Sequence, residues 1–363
     1  MRFTLQINTG NFAEPGISAA AAEKLRTWLK AVPAERVIYG WTSDSAINTA
    51  VNETAHRFGA QTYVWLPVFA EAAYAEDAFV SAVPSGRNTI DLVKGESFEF
   101  VCPSSEANIG AAFGMLEKLT RDARPDGVFL DRIRYPSMHI KGAGFGCMCG
   151  RCLRRYADAG TDIGRLRALT GNASDALFVP CSKDGARYRF DDPDIDRLFA
   201  AKRGIITRSI AVIAERLRSD GYLVGLDLFA PVIADYVGQD IRALCEQADM
   251  VKPMMYYSTT APAGLPFETA ALPGPLQTRL KQLWSGSPCD EDRMPAQLDA
   301  FGEAHDKVSV GLEINRVSGV CSVTKEDLRR RLLMLKGAGY ENVTLCWNVF
   351  CADVSMADVL NGL

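Results

Sequence analysis

Eight short apolar segments alternate with segments of helical period along the whole chain. No other feature constrains the fold as strongly. The apolar segments are 2–8, 36–42, 61–67, 127–134, 222–229, 249–257, 307–314 and 342–349. Between them, 18–30, 45–58, 106–123, 196–219, 238–246, 294–304 and 325–337 repeat apolar residues at helical spacing. Strands separated by helices pair in parallel through crossovers. Eight such units in 363 residues predict an α/β chain closed into a (β/α)8 barrel. An open dinucleotide-binding sheet fits less well, because no G-x-G-x-x-G follows the first strand. One domain spanning 1–363 is expected, with 137–195 inserted after the fourth strand as a lid.

Parity within the strands supports closure. In 307–315, Val308, Val310 and Leu312 share one face, and Ser309, Gly311 and Glu313 share the other. In 222–231, Val224, Leu226 and Leu228 oppose Gly225, Asp227 and Phe229. Near the start, Phe3, Leu5 and Ile7 oppose Thr4, Gln6 and Asn8. An aliphatic face suits the helix layer, and small or polar residues suit a crowded barrel interior. The same rule turns Phe129, Asp131, Lys252, Met254, Tyr256 and Asn348 inward. The polar inward residues gather at the C-terminal ends of strands, where such barrels carry their active sites.

Three long segments interrupt the scheme: 71–101, with a hairpin expected in 88–101; the Gly-, Arg- and Cys-rich 137–195; and the Pro- and Gly-rich 258–293. Loops of this length serve as lids or binding walls. The "GAGFG" of 142–146 lacks the Lys-Ser/Thr of a phosphate loop and reads as a flexible connector. A net charge of −4 with no basic run gives no nucleic-acid footprint. No apolar run approaches the length of a membrane span, and the first residues enter a strand directly rather than a leader. A cytoplasmic protein with no nucleic-acid or membrane partner is therefore expected, its ten cysteines mostly reduced thiols or metal ligands.

Asp131, Asp227 and Glu313 stand at inward positions of three different strands. Converging carboxylates push one another's proton affinities apart, which suits one to donate a proton and another to attack or activate water. Each could equally be neutralised in a structural ion-pair layer by Lys252, Arg132 or Arg134. We expect Asp131 as nucleophile or electrostatic stabiliser, held by Arg134, with Glu313 and Asp227 competing for the acid/base role. Arg134, Tyr135, Trp65, Lys252, Tyr256, Asn8, Asn315, Trp347 and Asn348 are the candidate substrate-binding residues. Rings stack on apolar sugar faces and amides bind hydroxyls, although the rings also suit core packing and the asparagines also suit turns.

Cys147, Cys149 and Cys152 lie within six residues in a Gly-rich stretch. Three thiols so spaced can clamp a structural zinc ion with a fourth ligand from elsewhere, for which Cys102, Cys181 and His139 are candidates. A disulfide or free thiols are the alternatives. A catalytic zinc is not expected, since there are three histidines, of which His56 falls on an expected helix and His305 at the end of another.

The stretch "DGVFLDRIRYPS", preceded by "FEFVCPSS" and followed by "CMCGRC", resembles a group of glycoside-hydrolase-like TIM-barrel proteins. Their fourth strand carries an aspartate followed closely by I-R-Y/F-P. The resemblance continues in "GLDLFAP" and "QADMVKPMMYY". It implies a barrel acting on carbohydrate, with Asp131, Asp227 and Glu313 at its centre and no catalytic cofactor. The same stretch is similar to the fourth strand of family 18 chitinases, D-G-x-D-x-D-x-E-Y-P, and "MMYY" to their M-x-Y-D. Asp126, Gly127 and Asp131 match. Phe129 replaces the middle aspartate, one residue is inserted before Tyr135, and Arg132 or Ile133 stands where the acid glutamate belongs. The proton donor must therefore come from another strand, and substrate-assisted chitinase chemistry does not carry over. Hydrolysis of a glycosidic bond is the expected function. A lyase or isomerase on sugar acids or phosphates, using Lys252 and the arginines, and an inactive carbohydrate-binding barrel are the alternatives.

Overall fold

The computed structural model describes residues 1–10, 17–42, 44–70, 77–83, 89–91, 97–171 and 175–360. Eight parallel strands close into a barrel: β1 Arg2–Asn8, β2 Ala34–Gly40, β3 Gln61–Pro67, β4 Gly127–Asp131, β5 Leu223–Phe229, β6 Met250–Met254, β7 Val310–Glu313 and β8 Asn342–Cys346. Each pairs with its sequence neighbours, and β8 closes on β1 through Arg2–Asn342 to Leu5–Leu345. All eight expected strands are present, with ends shifted by a few residues. Helices Ile17–Ala31, Ser45–Arg57, Glu106–Thr120, Pro193–Ser219, Ile241–Glu246, Met294–Leu298 and Lys325–Gly337 lie between or after them.

Strand parity divides the buried apolar residues into two clusters. Leu5, Ile7, Val64, Leu66, Val128, Leu130, Val224, Leu226, Val310 and Leu312 belong to the large cluster shared with the helices. Ile38, Tyr63, Trp65, Phe129 and Met250 form a separate cluster inside the barrel. This plug fills the interior below the polar residues of β1, β5 and β6, so the barrel is packed rather than open.

Two expected loops are structured. Residues 258–293 carry helices Leu265–Ala270 and Gly274–Leu283, each with a proline in its first turn. Those prolines start helices, because the N–H they lack has no intrahelical partner there. The "GAGFG" connector holds a turn of 3-10 helix at Ala143–Phe145, with Ala143 and Phe145 buried. In 71–101 an antiparallel hairpin pairs Thr89–Asp91 with Ser97–Glu99. Its turn, like 71–76, lies outside the described residues.

The segment after β4 contributes Phe145, Tyr156 and Phe178 to the large apolar cluster. It is bonded to the chain following β5, where the Tyr188 hydroxyl donates to Val232 O (2.9 Å) and its N–H to Asp235 Oδ2 (2.6 Å). Lys202, fully buried, donates to Gly144 O and Tyr236 O and joins the same layer. Among the described residues, no helix is long and apolar enough to cross a membrane.

Gly225 of β5 faces the interior, and a Cβ there would lie 2.6 Å from the Phe129 ring. Gly225→Ala should therefore lower stability by about 1–3 kcal/mol through overpacking, read as a reduced urea midpoint with an unchanged slope.

Candidate active site

The polar layer above the plug centres on Lys252 of β6, which has no solvent exposure. Its ammonium lies 2.9 Å from Asp227 Oδ2 and donates to Gln6 Oε1 at 2.6 Å and to the Tyr256 hydroxyl at 3.0 Å. Strands β1, β5 and β6 thus converge on one cation. The pairing Lys252–Asp227 also follows from ladder register, which places the two residues side by side with the same parity. Burial raises the Asp227 carboxyl to about 7; Lys252 opposes the shift and Asp131 adds to it. Its second oxygen, Oδ1, is buried without a protein partner.

Asp131 closes β4. The pair Leu130–Leu226 precedes it in the β4–β5 ladder, so Asp131 and Asp227 follow as inward neighbours on adjacent strands. Asp131 Oδ2 accepts the Trp65 indole N–H at 2.9 Å, and Oδ1 accepts the N–H of Arg132. Arg132 has φ 53°, a left-handed conformation costly for a long side chain. Of the three acids Asp131 is the most accessible, 9% exposed against 2% for Asp227 and 0% for Glu313.

The turn at Arg132 ends β4 three residues short of the expected strand, and side-chain alternation ends with it. Tyr135 consequently leaves the barrel mouth. It is fully buried, 6.4 Å from the Phe79 ring, and its N–H donates to Val237 O. Arg134 does not hold Asp131. Its guanidinium donates to Tyr135 O at 3.1 Å and lies over the Phe229 ring at 4.3 Å and the Phe100 ring at 5.0 Å. Burial lowers it to about 10, with Glu268, Asp131 and Asp227 near enough to oppose the shift. Arg132 reaches Ala70 O and the face of Trp41. Trp41 meets Trp65 edge-on, with ring centroids 5.3 Å apart.

Glu313 stands in a second network. Its Oε1 accepts the Ser258 N–H and lies 3.2 Å from Arg331 Nη1 of helix Lys325–Gly337. Arg331, itself buried, also binds Glu291 and the Ser258 hydroxyl. Burial raises Glu313 to about 7 against the pull of Arg331 and the Ser258 N–H. The Arg331 interaction has no local signature in the sequence, since it joins a strand to the buried face of the following helix. Beside this network Ser258, Thr260, Arg316, Val317 and Cys321 line a cleft of about 470 Å³.

The three candidate asparagines hold loop ends together. Asn348 Oδ1 accepts the N–H groups of Asn8 (3.0 Å) and Phe350 (3.2 Å). Asn315 Oδ1 accepts the Trp347 N–H at 2.8 Å, and its amide donates to Asn348 O at 2.9 Å. Asn8 Oδ1 accepts the Gly10 N–H. Of the alternatives the sequence left open, the turn role matches these contacts. Trp347 is half-buried at the end of β8, and Tyr256 is buried with its hydroxyl on Lys252.

The cysteine cluster gains Cys102, which precedes helix Glu106–Thr120. Sulfurs of Cys102, Cys147, Cys149 and Cys152 all lie within 4.8 Å of one another, a metal-binding spacing. Cys102 Sγ is 3.5 Å from Cys149 Sγ and 3.7 Å from Cys152 Sγ. The other candidate ligands lie elsewhere: His139 stacks on Phe267 at 3.7 Å and bonds its carbonyl, and Cys181 bonds Arg189 O.

No family model and no curated protein matches the sequence. Solved structures do match. The glycoside hydrolase domain of PgaB (BpsB) from Bordetella bronchiseptica superposes with a TM-score of 0.67 at 16% identity, covering 99% of this chain and 98% of that one. A Group IV chitinase of Ostrinia furnacalis gives a TM-score of 0.50 at 8% identity over 99% of both chains. The spore cortex-lytic enzyme SleL of Bacillus megaterium gives 0.50 at 8% identity, over 99% of this chain and 73% of that one. At these identities the likeness is one of fold, here the closed (β/α)8 barrel.

Two outcomes follow from the buried ionisable groups. Lys252→Met leaves Asp227 buried without its cation and should cost on the order of 3–5 kcal/mol in chemical denaturation, whereas adding Asp227→Leu should recover part of the loss. Asp227 and Glu313 both have folded values raised above their unfolded ones, so the folded state binds more protons. Their contribution is full below the ordinary carboxylate range and is lost as pH rises through about 7. The thermal midpoint should fall between about pH 5 and about pH 8, with a shallower fall in Glu313→Gln.

Proposed function

We propose that the protein is a glycoside hydrolase whose reacting carboxyl groups are Asp131 and Asp227. The observation that carries this reading is their placement as inward neighbours on β4 and β5, one reachable from solvent and the other raised by burial to about 7. A carboxyl that keeps its proton near neutrality can protonate a leaving glycosidic oxygen. A second carboxyl beside it can attack the anomeric carbon or stabilise its positive charge. Trp65 and the Arg132 N–H fix the orientation of Asp131, and Lys252 holds one oxygen of Asp227 while Oδ1 has no protein partner. The likeness in fold to the hydrolase domain of PgaB and to chitinases supports a carbohydrate substrate.

Glu313 takes a structural part in this reading. Its full burial and its bonds to Arg331 and Ser258 anchor the chain after β6 to the helix after β7. Lys252 Nζ already has three oxygen partners, which disfavours a lyase or isomerase needing a free amine. Trp41 and Trp347, both half-buried just beyond the ends of β2 and β8, are the rings assigned to sugar stacking. Residues 137–195 serve as a wall or lid of the mouth within a single barrel domain, the four-cysteine cluster is structural, and the reaction runs on carboxylates and water without a cofactor.

On a substrate found by screening oligosaccharides and aryl glycosides, Asp131→Asn and Asp227→Asn should each lower kcat/KM by on the order of 10²–10⁴. Glu313→Gln, once shown to be folded, should keep most of the activity. Full activity in both aspartate variants would end this reading. Thermal stabilisation by sugars without any turnover would favour a carbohydrate-binding barrel instead.

A further inference from the structure

We infer that Cys102, Cys147, Cys149 and Cys152 form a tetrathiolate zinc site that fastens the wall after β3 to the wall after β4. Four sulfurs arranged tetrahedrally about 2.3 Å from zinc stand about 3.8 Å apart. Two of the separations, 3.5 and 3.7 Å, both from Cys102, fall near that edge length. A disulfide would bring two of the sulfurs to about 2.0 Å, whereas all four cysteines here are free.

The surroundings are those of bound thiolates. The Val80 N–H donates to Cys147 Sγ at 3.3 Å, and the Ser104 hydroxyl lies 3.1 Å from the sulfurs of both Cys102 and Cys152. Donors of this kind spread the negative charge that four thiolates place around a divalent ion and hold the ligands in orientation. The ligand backbones are fixed as well. Cys102 N donates to Asp77 O, Cys102 O accepts the Asn108 amide, and Met148 N donates to Val80 O. Gly146 brings the chain to Cys147 with φ 70°, and a Cβ there would lie 2.6 Å from the Tyr156 hydroxyl oxygen. Only glycine fits that approach.

The site lies one short ladder away from Asp131. Val101, next to Cys102, donates to Phe69 O; Phe69 N donates to Arg132 O; and Val68 N donates to Asp131 O. Zinc therefore braces the backbone that ends β4 without touching the carboxylates. The ion is structural because all four positions are taken by sulfur, leaving no open position for water.

The site does not depend on the hydrolase reading, and its test uses no activity. Protein purified in reductant without chelator should contain about one zinc per chain, with all ten thiols titratable after denaturation and metal removal. Cobalt(II) supplied in place of zinc should give the intense thiolate-to-metal absorption of a tetrahedral sulfur site. Zinc withdrawal should lower the thermal midpoint, and adding zinc alone should restore it. Cys149→Ser, at the half-buried ligand, should cut zinc content at least tenfold, while Cys181→Ser should leave it unchanged. Four thiols missing from the titration, iron in place of zinc, or a midpoint indifferent to zinc would each overturn the assignment.

Discussion

The buried ammonium of Lys252 is the group around which the barrel interior is arranged. A cation without solvent contact is costly unless several oxygens surround it, and here they come from β1, β5 and the residue two positions beyond β6. That requirement fixes which faces of three strands turn inward, and it holds Asp227 beside Asp131 on the adjacent strand. Below lies the plug of Ile38, Tyr63, Trp65, Phe129 and Met250, which keeps water from entering from the other end. Fully buried, Asp227 holds its proton to about 7 although a lysine is bonded to it.

The mouth is built on this floor. The β4 strand ends in the left-handed turn at Arg132, which sends Tyr135 away from the site, turns the Arg134 guanidinium onto Tyr135 O and the Phe229 ring, and leaves Asp131 to Trp65. The chain beyond runs into the segment that carries Cys147, Cys149 and Cys152, while Cys102 belongs to the wall after β3. Two constraints from opposite sides therefore determine where Asp131 stands: the β4–β5 ladder beneath it and the cysteine cluster beside it.

Much of this was legible in the sequence. Eight strands and their inner and outer faces follow from period-two alternation, and parity alone turned Asp131, Asp227, Lys252 and Glu313 inward. Parity misled where alternation stopped, at Arg132, so Tyr135 and the partner of Arg134 were misplaced. The prolines of 258–293 mark helix starts that composition reads as loop. Contacts that join distant segments were out of reach: Glu313 with Arg331, Trp65 with Asp131, and the choice of Cys102 over Cys181 and His139. Each depends on register between elements, which no local pattern encodes. The asparagines at strand ends satisfied both readings in the sequence, and only their partners separate them.

The account rests on Asp227 being the carboxyl that keeps its proton near neutral pH. Carbon-13 NMR of protein labelled at the aspartate carboxyl carbon, followed through a pH titration, tests this directly. The aspartate resonance that vanishes in Asp227→Asn, with the rest of the spectrum kept, should titrate near 7. If the resonance lost in Asp227→Asn instead titrates in the ordinary range near 4, the proton donor is a different group and the account fails.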